Sequence, residues 1–209
     1  MLHKETVDQS TLELLIQLLQ KEYLKGFYLV GGTALALKMG HRKSVDLDLF
    51  SNFSFDAIQL LENLSADFSF SLFFSANNVL KGSINGVQVD IVAHRYPLIC
   101  EPIVEESIRM LSVEDIAAMK LNAITVSGQR VKDFVDIYYL LEIFSIGEMI
   151  GFYKKKYSQF NEANVLKSLC WFKEVDISDW PVLIKTPKLG WGTIKKKILE
   201  VTGAYLQEI

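Results

Sequence analysis

Three aspartates carry the chemistry this sequence suggests most directly. Asp46 and Asp48 stand in the run Val45-Asp46-Leu47-Asp48-Leu49-Phe50, where acidic and apolar residues alternate. As a β-strand, that alternation sends both carboxylates to one face and Val45, Leu47 and Leu49 to the other. Two carboxylates so placed repel each other unless a cation sits between them, and a hard cation such as Mg²⁺ suits their oxygens. Asp90 lies in a second apolar run, Val87 to His94, where it shares a face with Gln88. Three carboxylates from two adjacent strands can hold two Mg²⁺ ions about 4 Å apart for in-line phosphoryl displacement. Taken singly, each acid reads as a strand residue in water. The flanking Leu47, Leu49 and Phe50 mark a core strand, and the three acids together favour the metal role.

A second feature lies upstream. Gly31-Gly32 follows the aromatic and β-branched run Phe27 to Val30 and precedes Thr33, which can cap a short helix over Ala34 to Leu37. Two glycines between a strand and a helix let the backbone approach a ligand and aim its N–H groups outward. A helix N-terminus at that point favours phosphate. An isolated Gly-Gly pair is more often only a tight turn.

The elements that must position these groups can be read from periodicity. Apolar residues recur with helical spacing from Ser10 to Leu24, with Gly26 as a stop. Phe55 to Leu64 reads as a helix and Phe68 to Phe74 as a strand. Val79–Ile84 and Val87–His94 flank Asn85-Gly86, a strong hairpin signal. After Pro97 and Pro102 the pattern becomes helical: Ser112 caps a helix through Ala123, and further helices cover about Arg130–Phe144, Ile146–Tyr157, Asn161–Phe172 and Thr193–Gln207. The expected fold class is α+β, a small mixed sheet flanked by helices followed by a mostly helical region, with domains at 1–105 and 106–209.

Composition narrows the class of protein. Of 209 residues half are hydrophobic, which fits a packed fold rather than disorder. No apolar run is long enough to span a membrane. Met1 to Ser10 carries Lys4, Glu5 and Asp8 without an apolar stretch, so no secretory signal is expected. Cys100 and Cys170 show no metal-binding spacing and read as buried thiols in a reducing cytoplasm. The net charge of −3 lacks the basic excess of a dedicated nucleic-acid binder. An RNA contact would need local patches, of which Lys154-Lys155-Lys156 and Lys195-Lys196-Lys197 are the candidates, though each run reads as a solvated helix face. His94, closing the Asp90 strand, could orient a metal ligand but reads better as a satisfied strand-end histidine, and His41, in a His-Arg-Lys turn, could meet phosphate or simply be exposed.

The combination is specific. A hydrophobic residue, Gly-Gly, thirteen intervening residues, Asp-x-Asp between apolar residues and a later strand Asp resembles the polymerase-β-like nucleotidyltransferase superfamily. The fuller strings Val30-Gly31-Gly32-Thr33-Ala34-Leu35-Ala36-Leu37 and His41-Arg42-Lys43-Ser44-Val45-Asp46-Leu47-Asp48-Leu49-Phe50 are similar to the AbiEii/AbiGii-type nucleotidyltransferases, toxin components of abortive-infection and type IV toxin–antitoxin modules. A second block, Ala118-Met119-Lys120-Leu121-Asn122-Ala123 and then Arg130-Val131-Lys132-Asp133-Phe134-Val135-Asp136, resembles that family's helical motifs. The resemblance runs from about Phe27 to Leu141.

The resemblance implies roles. Gly31, Gly32 and Thr33 would hold nucleotide phosphates. Asp46, Asp48 and Asp90 would bind metal, Mg²⁺ or Mn²⁺, with Asp90 helping to activate the acceptor hydroxyl. Lys120 would contact the triphosphate, and Asp133 or Asp136 would complete the helical side of the cleft. Arg42 and Lys43, just before the acidic strand, could also meet phosphate. The residues add one constraint: a lysine in the apolar helix around Lys120 needs an anionic partner or must reach solvent.

The expected activity is Mg²⁺-dependent transfer of a nucleoside monophosphate from an NTP to an acceptor hydroxyl, by resemblance the 3′ end of a tRNA, in a toxin paired with an antitoxin. Two alternatives stand beside it: transfer to a protein or antibiotic hydroxyl, and a nucleotide-binding module without turnover. The intact Asp46, Asp48 and Asp90 argue against the last.

Overall fold

In the computed structural model, which describes residues 1 to 208, the chain divides into two compact units. The first comprises Met1–Pro97 and Glu101–Leu111; the second comprises Leu98–Cys100 and the chain from Ser112 onward. A division at 105/106 would cut between two short strands that pair with each other.

The first unit is built on one sheet. Its elements are α1 (Gln9–Gln20), β1 (Tyr28–Val30), α2 (Gly31–Met39), β2 (Leu47–Ser51), α3 (Ala57–Asp67), β3 (Phe70–Ala76), β4 (Val79–Ile84), β5 (Val87–Ala93), β6 (Ile103–Glu105) and β7 (Ile108–Met110). The strand order is β3-β4-β5-β2-β1-β7-β6. The sheet is mixed: β2 runs parallel to β5 and β1 parallel to β7, and the other pairs are antiparallel. The expected mixed sheet is present, enlarged to seven strands by β6 and β7.

Alternation decides which face of each strand is buried. Along β2, Leu47, Leu49 and Ser51 are buried while Asp48 and Phe50 are half-buried. Leu80 and Ile84 of β4 and Val89 and Ile91 of β5 continue the buried face, joined by Leu15 and Leu18 of α1 and Leu35 and Leu37 of α2. Each such leucine contributes about 1.5–3 kcal/mol on burial. The Arg109 guanidinium on β7 donates to the carbonyls of Leu19, Leu24 and Phe27, satisfying the backbone where α1 hands over to β1.

The turns follow their chemistry. Asn85 (φ 50°) and Gly86 (φ 81°) close the β4–β5 hairpin. Gly40 ends α2 in the left-handed region at φ 67°. Asp56 caps α3, accepting from the Ile58 and Gln59 amides at 2.8 and 3.2 Å. On the edge strand β3 the register against β4 slips between Leu72 and Phe74, leaving Phe73 as a bulge.

The second unit is helical: α4 (Val113–Val126), α5 (Val131–Leu140), α6 (Ile146–Lys156), α7 (Glu162–Leu169) and α8 (Trp191–Glu208). Ser112 caps α4 as its sequence predicts, its hydroxyl accepting from the Asp115 amide at 3.0 Å. Ser145 and Glu148 form a capping box on α6. Phe134, Phe172 and Trp191 pack edge to face with centroids 5.6–5.7 Å apart.

One charged pair lies wholly inside this unit. Lys156 Nζ meets Asp115 Oδ1 at 2.6 Å with both side chains at 0% exposure. Asp115 also accepts from the Ile99 and Cys100 amides and from the Ser112 hydroxyl, which attaches the 98–100 segment to α4. The run Lys154-Lys155-Lys156 is therefore not a uniform basic face: the first two lysines are exposed and the third is buried, because i, i+1 and i+2 on a helix point in different directions. The cysteines depart from expectation in their burial alone. Both are free thiols; Cys100 is exposed and Cys170 only half-buried.

Among the described residues no helix is long and apolar enough to cross a membrane.

Candidate active site

The acidic strand and the glycine turn come together in the first unit. Val30 on β1 is the register partner of Asp48 on β2, and Asp48 is in turn the partner of Asp90 on β5. Paired residues on neighbouring strands project from one face, so the two carboxylates issue side by side from adjacent strands.

The glycines lie against two charged groups. A Cβ at Gly31 would collide with the Asp48 carboxylate, and one at Gly32 with the Arg42 guanidinium. Gly31 also takes φ +70°, in the region that favours glycine. The N-terminus of α2 is thus walled by Asp48 on one residue and by buried Arg42 on the next. Lys43 is half-buried, its ammonium 3.5 Å from Asp8 on the protein's outside.

Thr33 does something its sequence position did not suggest. It is no helix cap, since α2 already begins at Gly31. Its buried hydroxyl donates to the main-chain oxygen of Asp46 and lies 2.9 Å from Ser44 Oγ. The tie fixes the segment entering β2. That segment is not yet strand: β2 starts at Leu47, so Val45 is exposed instead of joining the core, and Asp46 is exposed as well.

The three aspartates do not form a ready-made cage. Among the described residues no three acidic, histidine or cysteine side chains converge as a metal site. The Asp90 carboxylate is buried, with Lys81 Nζ on Oδ2 at 2.6 Å and Gln88 Nε2 on Oδ1 at 3.3 Å. Close carboxylates repel, so an ammonium balances Asp90 here. Carboxylate oxygens on register-paired positions are the donor type a hard divalent cation takes, and one of them here holds a lysine ammonium.

His94 follows β5, its ring in tilted contact with those of Phe50 (centroids 5.6 Å) and Tyr96 (4.6 Å). His41 is fully buried and not in an exposed turn.

In the second unit, Lys120 has the anionic partners its apolar surroundings demand. Its ammonium meets Asp133 Oδ1 at 2.7 Å and Asp136 Oδ2 at 2.6 Å, all three side chains being buried. Arg130 Nε adds a contact to Asp133 Oδ2 at 2.9 Å. The two aspartates, three apart on α5, are therefore a buried acidic pair and not surface ion pairs. Burial by itself would raise the Asp133 carboxyl, but the Lys120 charge and the Arg130 contacts outweigh it and hold the group below its usual value.

The glycine turn, the acidic strand and the mixed sheet define the class: a nucleotidyltransferase fold. Comparison with known proteins supplies the family. The model of the AbiEii nucleotidyl transferase toxin family, of type IV toxin–antitoxin systems, matches residues 13–97 and 81–204. The uncharacterized protein aq_aa25 of Aquifex aeolicus (strain VF5) is 30% identical over 154 residues, covering 71% of this chain and 74% of that protein. Two solved structures share the fold. MenT4, a nucleotidyltransferase toxin from Mycobacterium tuberculosis, is 13% identical with a TM-score of 0.65, over 96% of this chain and 82% of the other. JHP933 from Helicobacter pylori is 15% identical with a TM-score of 0.58, over 97% and 94%. The chain belongs to the AbiEii nucleotidyltransferase toxin family, and it is a nucleotidyltransferase.

Proposed function

We propose that the protein transfers a nucleoside monophosphate from a nucleoside triphosphate to a hydroxyl at the 3′ end of an RNA, of which tRNA is the expected kind, and that it acts in the cytoplasm as a toxin restrained by a cognate antitoxin. The acceptor oxygen bonds to the α-phosphorus, the bond to the β-phosphate oxygen breaks, and pyrophosphate leaves.

The observation that carries this reading is the pairing of Asp48 with Asp90 beside the Gly31-Gly32 turn. The α2 N-terminus offers backbone N–H groups and the positive end of a helix to the phosphates. Arg42, packed on Gly32, adds fixed positive charge there, with Lys43 next to it. Asp46, Asp48 and Asp90 would hold Mg²⁺ or Mn²⁺. When bound, such an ion neutralises charge on the triphosphate and lowers the pKa of the attacking hydroxyl. Thr33 acts by holding Asp46 in place. Lys120 keeps its proposed role toward nucleotide phosphate, its ammonium ion-paired with Asp133 and Asp136.

The test is incorporation of label from each α-³²P-NTP into bulk RNA, with the Asp46→Ala/Asp48→Ala variant as control. Wild type labels RNA and the variant does not. Label on protein instead moves the acceptor assignment to a protein hydroxyl. Equal affinity of both proteins for Mg²⁺–nucleotide overturns the metal assignment.

A further inference from the structure

The sheet register carries a row of side chains away from the candidate site. Asp48 on β2 pairs with Asp90 on β5, Asp90 with Lys81 on β4, and Lys81 with Phe74 on the edge strand β3. Paired residues share a face, so the four stand in line across it, with strands about 4.8 Å apart. Phe74 is 54% exposed and the Lys81 side chain 44%. At the opposite end of the row, Val30 on β1 leads straight into Gly31 and Gly32.

The two ends differ in chemistry. The glycine end suits phosphates. In a phosphoryl displacement the attacking and leaving oxygens lie roughly in line on opposite sides of phosphorus. With pyrophosphate leaving over Gly31-Gly32, the acceptor arrives over β5, β4 and β3. What stands there is a half-exposed ammonium and an exposed aromatic ring. A cation beside a free ring is what single-stranded nucleic acid engages: the ring stacks on a base and the cation meets the phosphate.

We propose that Phe74 and Lys81 form the acceptor subsite, Phe74 stacking on an unpaired base near the RNA terminus and Lys81 binding an adjacent phosphate. The proposal rests on the nucleotidyl-transfer reading and specifies what the acceptor must offer at that site: an unpaired base next to a phosphodiester. Lys81 exchanges one anionic partner for another, the Asp90 carboxylate for a phosphate. A chain of net charge −3 thereby recognises RNA locally and without a basic face.

Binding and turnover test it separately. A fluorescein-labelled single-stranded oligoribonucleotide is titrated against wild type, Phe74→Ala, Phe74→Trp and Lys81→Gln, each first checked for a wild-type unfolding transition. Phe74→Ala weakens binding about 10-fold and Phe74→Trp restores it. Lys81→Gln lowers the slope of log K against log[salt] by about 0.7. In turnover the Phe74→Ala loss falls on KM for RNA and not on KM for NTP. Unchanged RNA affinity in both Phe74→Ala and Lys81→Gln overturns the proposal. So does label transfer by wild type to protein alone, which leaves nucleotidyl transfer standing. If no acceptor is labelled, the transfer reading fails, and the oligonucleotide titration still decides whether these two residues bind RNA.

Discussion

The hydroxyl of Thr33, inside α2, donates to the main-chain oxygen of Asp46, thirteen residues further on. A helix residue thus holds the entry to the acidic strand. Thr33→Val keeps the shape and removes the bond. It is expected to cost about 0.5–1.5 kcal/mol in urea unfolding, since a part-buried hydrogen bond is lost, and to lower the rate of nucleotide transfer. Thr33→Ser restores both. Full activity in Thr33→Val would show that the tie does not position Asp46.

Gly31 has no room for a side chain. Gly31→Ala drives a methyl into the Asp48 carboxylate and forces φ +70° on an L-residue. The strain amounts to about 1–3 kcal/mol. A carboxylate displaced by about 1 Å is expected to lower transfer about 100-fold. Gly32→Ala meets only the end of the long Arg42 side chain and is the milder change.

The Asp133 carboxyl gives stability a defined acid limit. Its folded pKa lies below the unfolded value, about 3.9. The folded chain therefore binds fewer protons there. The resulting stabilisation is whole above about pH 4 and is lost as pH falls through the lowered folded value. Urea midpoints measured from pH 6 to pH 2 should fall more steeply in wild type than in Asp133→Asn. Parallel curves would refute the assignment.

Lys156 separates from its neighbours on the same measurement. Lys156→Met strands the Asp115 charge at zero exposure and is expected to destabilise by about 3–5 kcal/mol. Lys154→Met, on the exposed face, should stay within about 0.5 kcal/mol of wild type. Equal midpoints for the two variants would show that Lys156 finds water.

The sequence was most readable where local rules and packing agree. The Asn85-Gly86 hairpin, the Ser112 cap and the Asp48 strand each follow from residue type and period. The strands β6 and β7 were not foreseen, because each has three residues and their turn is Glu106-Ser107, both at positive φ without glycine or asparagine. Of the site, the types and spacing of Gly31, Gly32, Asp48 and Asp90 were legible. Partners were not: Lys81 reaches Asp90 through an antiparallel register, and Lys120 finds Asp133 and Asp136 across two helices. Such pairings depend on tertiary register, which no single run of residues encodes. The sequence around Thr33 points to a cap because capping chemistry is local; its actual acceptor, the Asp46 carbonyl, is remote.

The bulge at Phe73 has a consequence for how the protein behaves in a test tube. β3 ends the sheet, carries no charged residue and leaves Leu72, Phe73 and Phe74 exposed. A flat, uncharged edge of that kind invites strands from other molecules to add on and the protein to precipitate. The extra residue breaks the regular ladder in the middle of the strand, so a second β3 cannot align along its whole length. Deleting Phe73 would straighten the edge and raise the protein's tendency to aggregate.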